Sequence, residues 1–266
     1  MNTTKSKVVI GTSRYGSTFP IYINFFNKKF SSLIKYSIKK NYFFFDTAYS
    51  YRFGNSQKVF EKLENVEKKI FISTKIGYKE TFLSKLISKF LFKNFQRIKF
   101  NESNLLNFTN KALKNLNSDQ IDIFYIHSPK INELKIINFQ VLSKYLRINY
   151  SIQNIGISTD SLMSIYKFVD FKFIKFFQIS YEDYLLNNVM YKDLKDRYGF
   201  KIYINRIFHS IKKKDAIVNF YKNDFKKILE DNLVDKVVLG ITNIDQLNDL
   251  DHYINLYDYK RKTNSK

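Results

Sequence analysis

Short apolar runs alternate with longer amphipathic segments along the whole chain. Eight apolar runs predict strands at residues 7–10, 42–45, 70–74, 121–126, 152–157, 176–181, 201–207 and 236–239. Between these runs, apolar residues recur at helical spacing, as in Phe30, Leu33, Ile34 and Ile38. Helices are also predicted after the second strand with Ser56 as the N-cap, over residues 162–169, and over residues 191–198 with Gly199 as the C-cap. Strict alternation of short strands with amphipathic helices is typical of parallel βαβ units.

This pattern favours an α/β fold, a (β/α)8 or TIM barrel formed by one domain over residues 1–266, with a frayed tail at 260–266. An open doubly wound sheet is the alternative. It is less favoured because the Gly-rich phosphate fingerprint after the first strand is missing, and only Gly11 and Gly16 occur there. In a barrel, functional residues are expected at the carboxyl ends of the strands.

Composition narrows the class of protein. Apolar residues make up 44% of the chain, enough for a large core, but they form no uncharged stretch of the roughly 20 residues that a membrane span needs. The chain has no cysteine, which excludes disulfides, thiolate metal ligands and a cysteine nucleophile. We therefore expect a cytoplasmic protein without a membrane partner, and we predict no metal site.

The formal net charge of +21 suggests binding to nucleic acid or to an anionic surface. The lysines are nevertheless spread along the chain and accompanied by many Asn, Ile, Phe and Tyr residues, the set that an AT-rich coding sequence favours. The densest basic segment, residues 85–99, mixes its cations with phenylalanines and is typical of a solvated amphipathic segment. The sequence therefore argues against nucleic-acid binding as the main function.

Three polar residues follow apolar runs in a way that indicates a site. Asp46, Lys75 and His127 each end a predicted strand, so a barrel would place them at one rim. Asp46 and Lys75 come from neighbouring strands and are expected to pair, because an unpaired buried charge is costly. A tyrosine beside this ammonium, such as Tyr51, should have a lowered pKa and deliver a proton, while His127 donates a hydrogen bond to the same oxygen.

Each of these side chains also has a purely structural interpretation. Asp46 could be a helix N-cap, Lys75 a solvated lysine at a strand end, and His127 a loop residue before Pro129. The ordered occurrence of all three on consecutive strands favours the functional interpretation.

Motifs in this order resemble the aldo-keto reductases. They are DTAYSY at 46–51, STK at 73–75, IHSP at 126–129, GIS at 156–158, FQISY at 177–181 and VVLGIT at 237–242. The resemblance extends over nearly the whole chain. It implies a (β/α)8 barrel that binds a nicotinamide cofactor, usually NADPH, and transfers hydride to the carbonyl carbon of an aldehyde, ketone or sugar.

The resemblance also assigns roles. It implies Tyr51 as the general acid, tuned by Lys75 and Asp46, with His127 orienting the carbonyl group of a small-molecule substrate. Ser158 and Gln178 would hold the nicotinamide carboxamide. The full set of cofactor contacts that it implies is Gly11, Thr12, Asp46, Ser158, Thr159, Gln178, Arg206, Gly240 and Thr242.

The chain departs from the family pattern at several positions. Thr159 stands where the family usually has Asn, and Arg206 falls near the position of a ring that stacks on the nicotinamide. The segment 207–215 is short, and basic residues for a 2′-phosphate are not evident at 240–246, so NADH is the alternative cofactor. The connection at 79–99 is expected to fold over the catalytic rim. A barrel that binds cofactor without catalysis is the alternative function, and the intact set of four catalytic residues argues against it.

Overall fold

Strands of the chain close into a parallel barrel in the computed structural model, which describes residues 4–16, 22–63, 70–79, 96–116, 121–208 and 214–263. In chain order the strands are β1 (Val8–Gly11), β2 (Phe44–Asp46), β3 (Phe71–Ile76), β4 (Tyr78–Lys79), β5 (Gln96–Arg97), β6 (Ile123–His127), β7 (Asn154–Ser158), β8 (Ile174–Ser180), β9 (Lys201–Asn205) and β10 (Lys236–Gly240). β4 and β5 form a separate antiparallel ribbon, and the other eight form the barrel, in which β1 pairs with both β2 and β10. The predicted (β/α)8 fold is confirmed.

Helices alternate with most of these strands. They are α1 (Ile23–Lys39), α2 (Asn55–Lys58), α3 (Glu102–Leu116), α4 (Ile131–Ile136), α5 (Phe139–Tyr150), α6 (Tyr181–Tyr198), α7 (Lys214–Glu230) and α8 (Ile244–Thr263). α1 buries the apolar stripe that the sequence predicts, and α6 ends at Gly199, whose φ of +63° makes it the expected glycine C-cap. Residues 260–263, predicted to be frayed, continue α8, and residues 264–266 lie outside the described part.

None of the described helices combines the length and the apolar composition needed to cross a membrane.

Two of the predicted helices differ from the structure. Residues 162–169, predicted to be helical, contain the 3₁₀ turn Tyr166–Phe168 and no α-helix, so the alternation lapses between β7 and β8. The helix after β2 is a short α2 followed by the 3₁₀ turn Val59–Lys62. Ser56 is not its N-cap, because the Ser56 hydroxyl instead donates to the Thr12 carbonyl oxygen at 2.7 Å.

Alternate strand residues fill the inside of the barrel. Val9, Ile123, Tyr125, Tyr203 and Val238 pack together as an inner cluster, separate from the larger core between strands and helices. Space for the Tyr125 ring depends on a glycine in the next strand: a Cβ atom at position 156 would lie 2.5 Å from Tyr125 Cε1 and 2.5 Å from the Phe176 carbonyl oxygen. A side chain at position 156 and the Tyr125 ring therefore exclude each other.

Residues before β1 are tied to the last helix. The Thr4 hydroxyl donates to Asp258 Oδ1 at 2.5 Å, and the Lys5 ammonium forms a buried ion pair with Asp251. Tyr42, just before β2, donates to the same Asp251 carboxylate at 3.3 Å. These contacts fasten α8 against the start of the chain, next to the junction of β1 and β10.

Candidate active site

The register of the strands brings the predicted residues to one rim. Asp46 lies beside Gly11 of β1 and Ser73 of β3, and His127 lies beside Ser158 of β7. Ser158 in turn lies beside Gln178 of β8. Because all eight barrel strands are parallel, these positions meet at the carboxyl end of the barrel, as predicted.

Asp46 and Lys75 form a buried ion pair. The two residues are 3% and 1% exposed, and the ammonium donates to Asp46 Oδ2 and, at 3.1 Å, to the Thr47 carbonyl oxygen. The other carboxylate oxygen, Oδ1, accepts from the Ser73 hydroxyl at 2.7 Å and from Gln178 Nε2 at 3.1 Å. The predicted pair is confirmed, and both charges are compensated by several hydrogen bonds.

This environment keeps Lys75 protonated. Burial acts to lower the pKa of Lys75, but the Asp46 carboxylate and the Tyr51 phenol act in the other direction, and the pKa is raised above its ordinary value of 10.5. The ammonium lies 5.1 Å from the centroid of the Tyr51 ring, and its positive charge favours the phenolate form. A fixed positive charge therefore stands beside the candidate proton donor.

The effect on Tyr51 differs from the prediction. Burial raises the pKa of Tyr51, Lys75 opposes this, Asp46 adds to it, and the pKa is raised above 10.0. The predicted fall in this pKa was wrong, because loss of hydration destabilises the phenolate by more than the neighbouring ammonium stabilises it. The phenol consequently remains protonated at neutral pH and retains the proton that a general acid must give.

His127 is partly exposed and lies next to Tyr51, with the two ring centroids 6.3 Å apart and the rings nearly perpendicular. Burial lowers its pKa well below the usual 6.5, and the cations Lys75, Arg206 and Arg97 lower it further. The imidazole is thus neutral at pH 7, with one donor and one acceptor nitrogen. Within the described chain, Nδ1 is buried and has no hydrogen-bond partner.

The site extends from β2 to β9 through an amide chain, which consists of the hydrogen-bonded side chains of Gln178 and Asn205. Gln178 Oε1 accepts from the Ser158 hydroxyl at 2.9 Å and from Asn205 Nδ2 at 3.1 Å, while the Gln178 amide nitrogen binds Asp46. Asn205 Oδ1 is buried and has no partner among the described residues. Asn205 is absent from the predicted set, although it ends an apolar strand in the same way as Asp46 does.

Two of the predicted cofactor residues support the backbone of the rim. Thr12, fully buried, donates its hydroxyl to the Asp46 carbonyl oxygen at 3.0 Å, and its hydroxyl lies 2.9 Å from that of Ser56. The Thr159 backbone N–H donates to the Gln178 carbonyl oxygen at 2.9 Å. Gly11, at the end of β1, lies beside Gly240 of β10.

The remaining predicted residues lie at the outer part of the rim. Arg206 adopts a positive φ of +56° after β9 and pairs with Asp160 at 2.8 Å. Thr242 donates from its backbone N–H and its hydroxyl to Gln246 Oε1, at 2.8 and 3.0 Å, in the segment that leads into α8. Gly240 is exposed, and no atom comes within 4 Å of a Cβ built on it.

Part of the connection predicted to cover the rim is described. The ribbon strands β4 and β5 place Tyr78 and Arg97 against His127, with the Tyr78 and His127 ring centroids 5.1 Å apart. Arg97 belongs to the basic segment 85–99, for which a solvated amphipathic segment was predicted, and Tyr78 is absent from the predicted site residues. Residues 80–95 and 209–213, which belong to the connections predicted at 79–99 and 207–215, lie outside the described residues.

Comparison with known proteins identifies the family and the fold of the chain. The aldo/keto reductase family model matches residues 7–203, a range that contains all four predicted catalytic residues. Comparison with curated protein sequences gives no significant match.

Several solved structures share the fold at low sequence identity. An aldo-keto reductase from Bacillus halodurans, in its holo form, is 14% identical with a TM-score of 0.70, covering 93% of this chain and 86% of its own. One from Klebsiella pneumoniae in complex with NADPH is 12% identical with a TM-score of 0.65, covering 94% and 85%. The glycerol dehydrogenase from Gluconobacter oxydans is 17% identical with a TM-score of 0.63, covering 92% and 85%. With a family match over most of its length and a barrel of the same fold, the chain belongs to the aldo/keto reductase family of oxidoreductases.

Proposed function

We propose that the chain reduces an aldehyde, ketone or sugar carbonyl to the alcohol with NADPH or NADH. The observation that carries this proposal is the position of Tyr51 at the carboxyl rim, with its ring 5.1 Å from the Lys75 ammonium and next to His127. The ammonium is itself paired with buried Asp46. Family membership supports oxidoreductase chemistry. The reaction needs a proton for the carbonyl oxygen, and we infer that Tyr51 gives it.

The proton is delivered next to a fixed charge. Tyr51 is protonated in the resting site, and it donates its proton as negative charge develops on the substrate oxygen. The phenolate left behind is stabilised by the Lys75 ammonium, because charges attract more strongly in a site with little water. Asp46 contributes by keeping Lys75 charged and in place.

His127 orients the carbonyl. Because its pKa is well below the usual range, the imidazole donates one N–H without carrying a charge that would compete with Lys75. Its ring lies near that of Tyr51, so both groups can converge on one oxygen. A substrate held in this way has its carbonyl oxygen at the proton donor.

The amide chain fits a nicotinamide carboxamide, which carries both an N–H₂ donor and a carbonyl acceptor. Asn205 Oδ1 is a buried acceptor that no described residue satisfies, and Ser158 and Gln178 add a hydroxyl and an amide beside it. When bound, the reduced nicotinamide supplies the hydride to the carbonyl carbon. We infer that Ser158, Gln178 and Asn205 hold its carboxamide.

The choice between the two dinucleotides rests on opposing observations. The Klebsiella relative is solved with NADPH, which supports NADPH here. Residues 240–246, the region where some family members carry basic residues for the 2′-phosphate, contain no lysine or arginine, and Asp245 in the first turn of α8 is acidic, which supports NADH. Titration with both dinucleotides, followed by their fluorescence, decides between them.

The test of the proposal is Tyr51→Phe. The variant should lose turnover of an aldehyde panel by about 100-fold or more, because it lacks the donated proton, and should bind the dinucleotide as before. Tyr49→Phe is the matched control, since the Tyr49 ring packs against Phe108 in the core. Turnover by Tyr51→Phe at the wild-type rate would refute the role of Tyr51. Cofactor binding without turnover of any carbonyl would support the non-catalytic barrel instead.

A further inference from the structure

The orientation of His127 is set by ring contacts rather than by a hydrogen bond within the described chain. A histidine that acts on a substrate usually donates or accepts through its second nitrogen, which fixes the ring and its tautomer. Here Nδ1 is buried without such a partner. Instead, the imidazole lies nearly perpendicular to two tyrosine rings, that of Tyr51 at 6.3 Å and that of Tyr78 at 5.1 Å.

Tyr78 is held in turn by Arg97. The two residues pair across the antiparallel ribbon, and the guanidinium lies 4.8 Å from the centroid of the Tyr78 ring. Arg97 Nη1 also donates to the carbonyl oxygen of His127 at 3.4 Å. Arg97 therefore contacts both the ring that flanks the imidazole and the backbone that carries it.

Glu133 fixes the guanidinium. Its carboxylate accepts from Arg97 Nε at 2.8 Å and from Nη2 at 2.5 Å, a bidentate pair with side chains 17% and 15% exposed. Glu133 also accepts from the Lys130 backbone N–H at 2.7 Å, in the first turn of α4, just after His127. The ribbon is thereby fastened to the loop that leaves the catalytic histidine.

We propose that Arg97 is a positioning residue for His127 and that it acts through Tyr78. This inference rests on the proposed function. Gly77, the residue before the ribbon, lies directly against the backbone of His127, because a Cβ atom there would lie 2.5 Å from the His127 carbonyl oxygen. A salt bridge that merely stabilised the ribbon would affect folding but would leave the imidazole and the chemical step unchanged.

The kinetic test compares Arg97→Met with Arg197→Met. Arg197 is a matched control because it too pairs with an acid, Asp193 at 2.9 Å, and lies over a tyrosine, Tyr198 at 5.9 Å, but on the exposed side of α6. Loss of Arg97 should lower kcat for carbonyl reduction by about 10-fold or more, since small displacements of a catalytic group have large effects on rate. Dinucleotide affinity should change less than about 2-fold, and Arg197→Met should behave as wild type.

A double-mutant cycle tests the route through Tyr78. If Arg97 acts through that ring, Tyr78→Leu should lower kcat by a similar factor, and the double variant should be no slower than the slower single variant. If the two single-variant losses in kcat instead multiply in the double variant, Arg97 does not act through Tyr78. Arg97→Lys keeps the charge but loses the bidentate fork, so it should still be slow. Thermal unfolding of each variant identifies any that does not fold.

A readout independent of turnover is the NMR signal of His127, one of three histidines in the chain. The charged groups that face its imidazole are Lys75 of β3, Arg97 of the ribbon and Arg206 after β9, with the Tyr51 and Tyr78 rings at its sides. The Cε1–H resonance of His127 should move in Arg97→Lys, because the Tyr78 ring shifts, and should stay in place in Arg197→Met. An unmoved resonance overturns the inference.

The proposed function and the positioning role of Arg97 can be refuted separately. Wild-type protein that reduces no carbonyl, or Tyr51→Phe that still does, refutes the proposed function, while the His127 resonance still decides the positioning role. Turnover that depends on Tyr51 but is equal in Arg97→Met and Arg197→Met refutes the positioning role alone.

Discussion

Replacing Asp46 by Asn leaves the Lys75 ammonium buried without its counter-charge. The amide is similar in size and can still accept from Ser73 and Gln178 through its oxygen, but its N–H₂ group then faces the ammonium. Removing one member of a buried ion pair typically costs about 3–5 kcal/mol. With the pair 3% and 1% exposed, we expect a loss of unfolding free energy within that range at about pH 7.

The loss of unfolding free energy in Asp46→Asn should become smaller as the pH rises. In the wild type the pKa of Lys75 lies above its unfolded value of 10.5, so its stabilising contribution is complete below that value and is lost only at more alkaline pH. In Asp46→Asn the effect of burial prevails, and the pKa of Lys75 falls below the unfolded value. Above this lowered pKa the unfolded chain binds more protons than the folded one, so stability rises with pH, by up to about 1.4 kcal/mol per pH unit.

The assay is urea unfolding followed by circular dichroism, from about pH 6 to about pH 10, with wild type and variant compared at each pH. The difference between them should be largest near neutrality and shrink toward alkaline pH. Asp193→Asn, which removes a solvent-exposed partner of Arg197, is the control and should give no measurable difference. A difference for Asp46→Asn that stays constant or grows with pH would refute the reasoning.

Two further predictions concern the barrel interior and the amide chain. Gly156→Ala should destabilise the fold by about 1–3 kcal/mol, because its Cβ would press on the Tyr125 ring, whereas Gly240→Ala, in open space, should leave the unfolding free energy nearly unchanged. Equal unfolding midpoints for the two variants would contradict the tight fit around Tyr125. Asn205→Ala removes the buried acceptor Oδ1 and should weaken dinucleotide binding by about 10-fold, measured by fluorescence titration; unchanged affinity would remove Asn205 from the cofactor site.

Strand-end residues were the part of the site that the sequence could predict. Asp46, Lys75 and His127 each stop an apolar run, and parallel strands bring such positions to one rim whatever the details of the helices. The same reasoning, applied more widely, would have included Asn205. The barrel was predictable for a related reason, since the spacing of apolar runs is a local property that repeats around the fold.

Properties that depend on many surrounding atoms at once could not be predicted from the sequence. The pKa of Tyr51 depends on how completely surrounding atoms displace water, which outweighs the single ammonium visible in the sequence. The contacts of Arg97 depend on the register of a two-residue ribbon and on Glu133, far along the chain. Residues 162–169 were expected to be helical because a few apolar residues at helical spacing do not distinguish a 3₁₀ turn from an α-helix.

The contact between the first and last barrel strands bears on how the chain folds. β2 and β3, which carry Asp46 and Lys75, are close in sequence, whereas Val8 of β1 pairs with Val237 of β10. The entropy lost on closing a loop grows with the logarithm of its length, so this last junction costs about 2 kcal/mol more than the junction of β2 with β3. Such long-range pairing is slow. The entropy argument therefore favours early pairing of the strands that carry Asp46 and Lys75, and later closure of the barrel by β1 and β10.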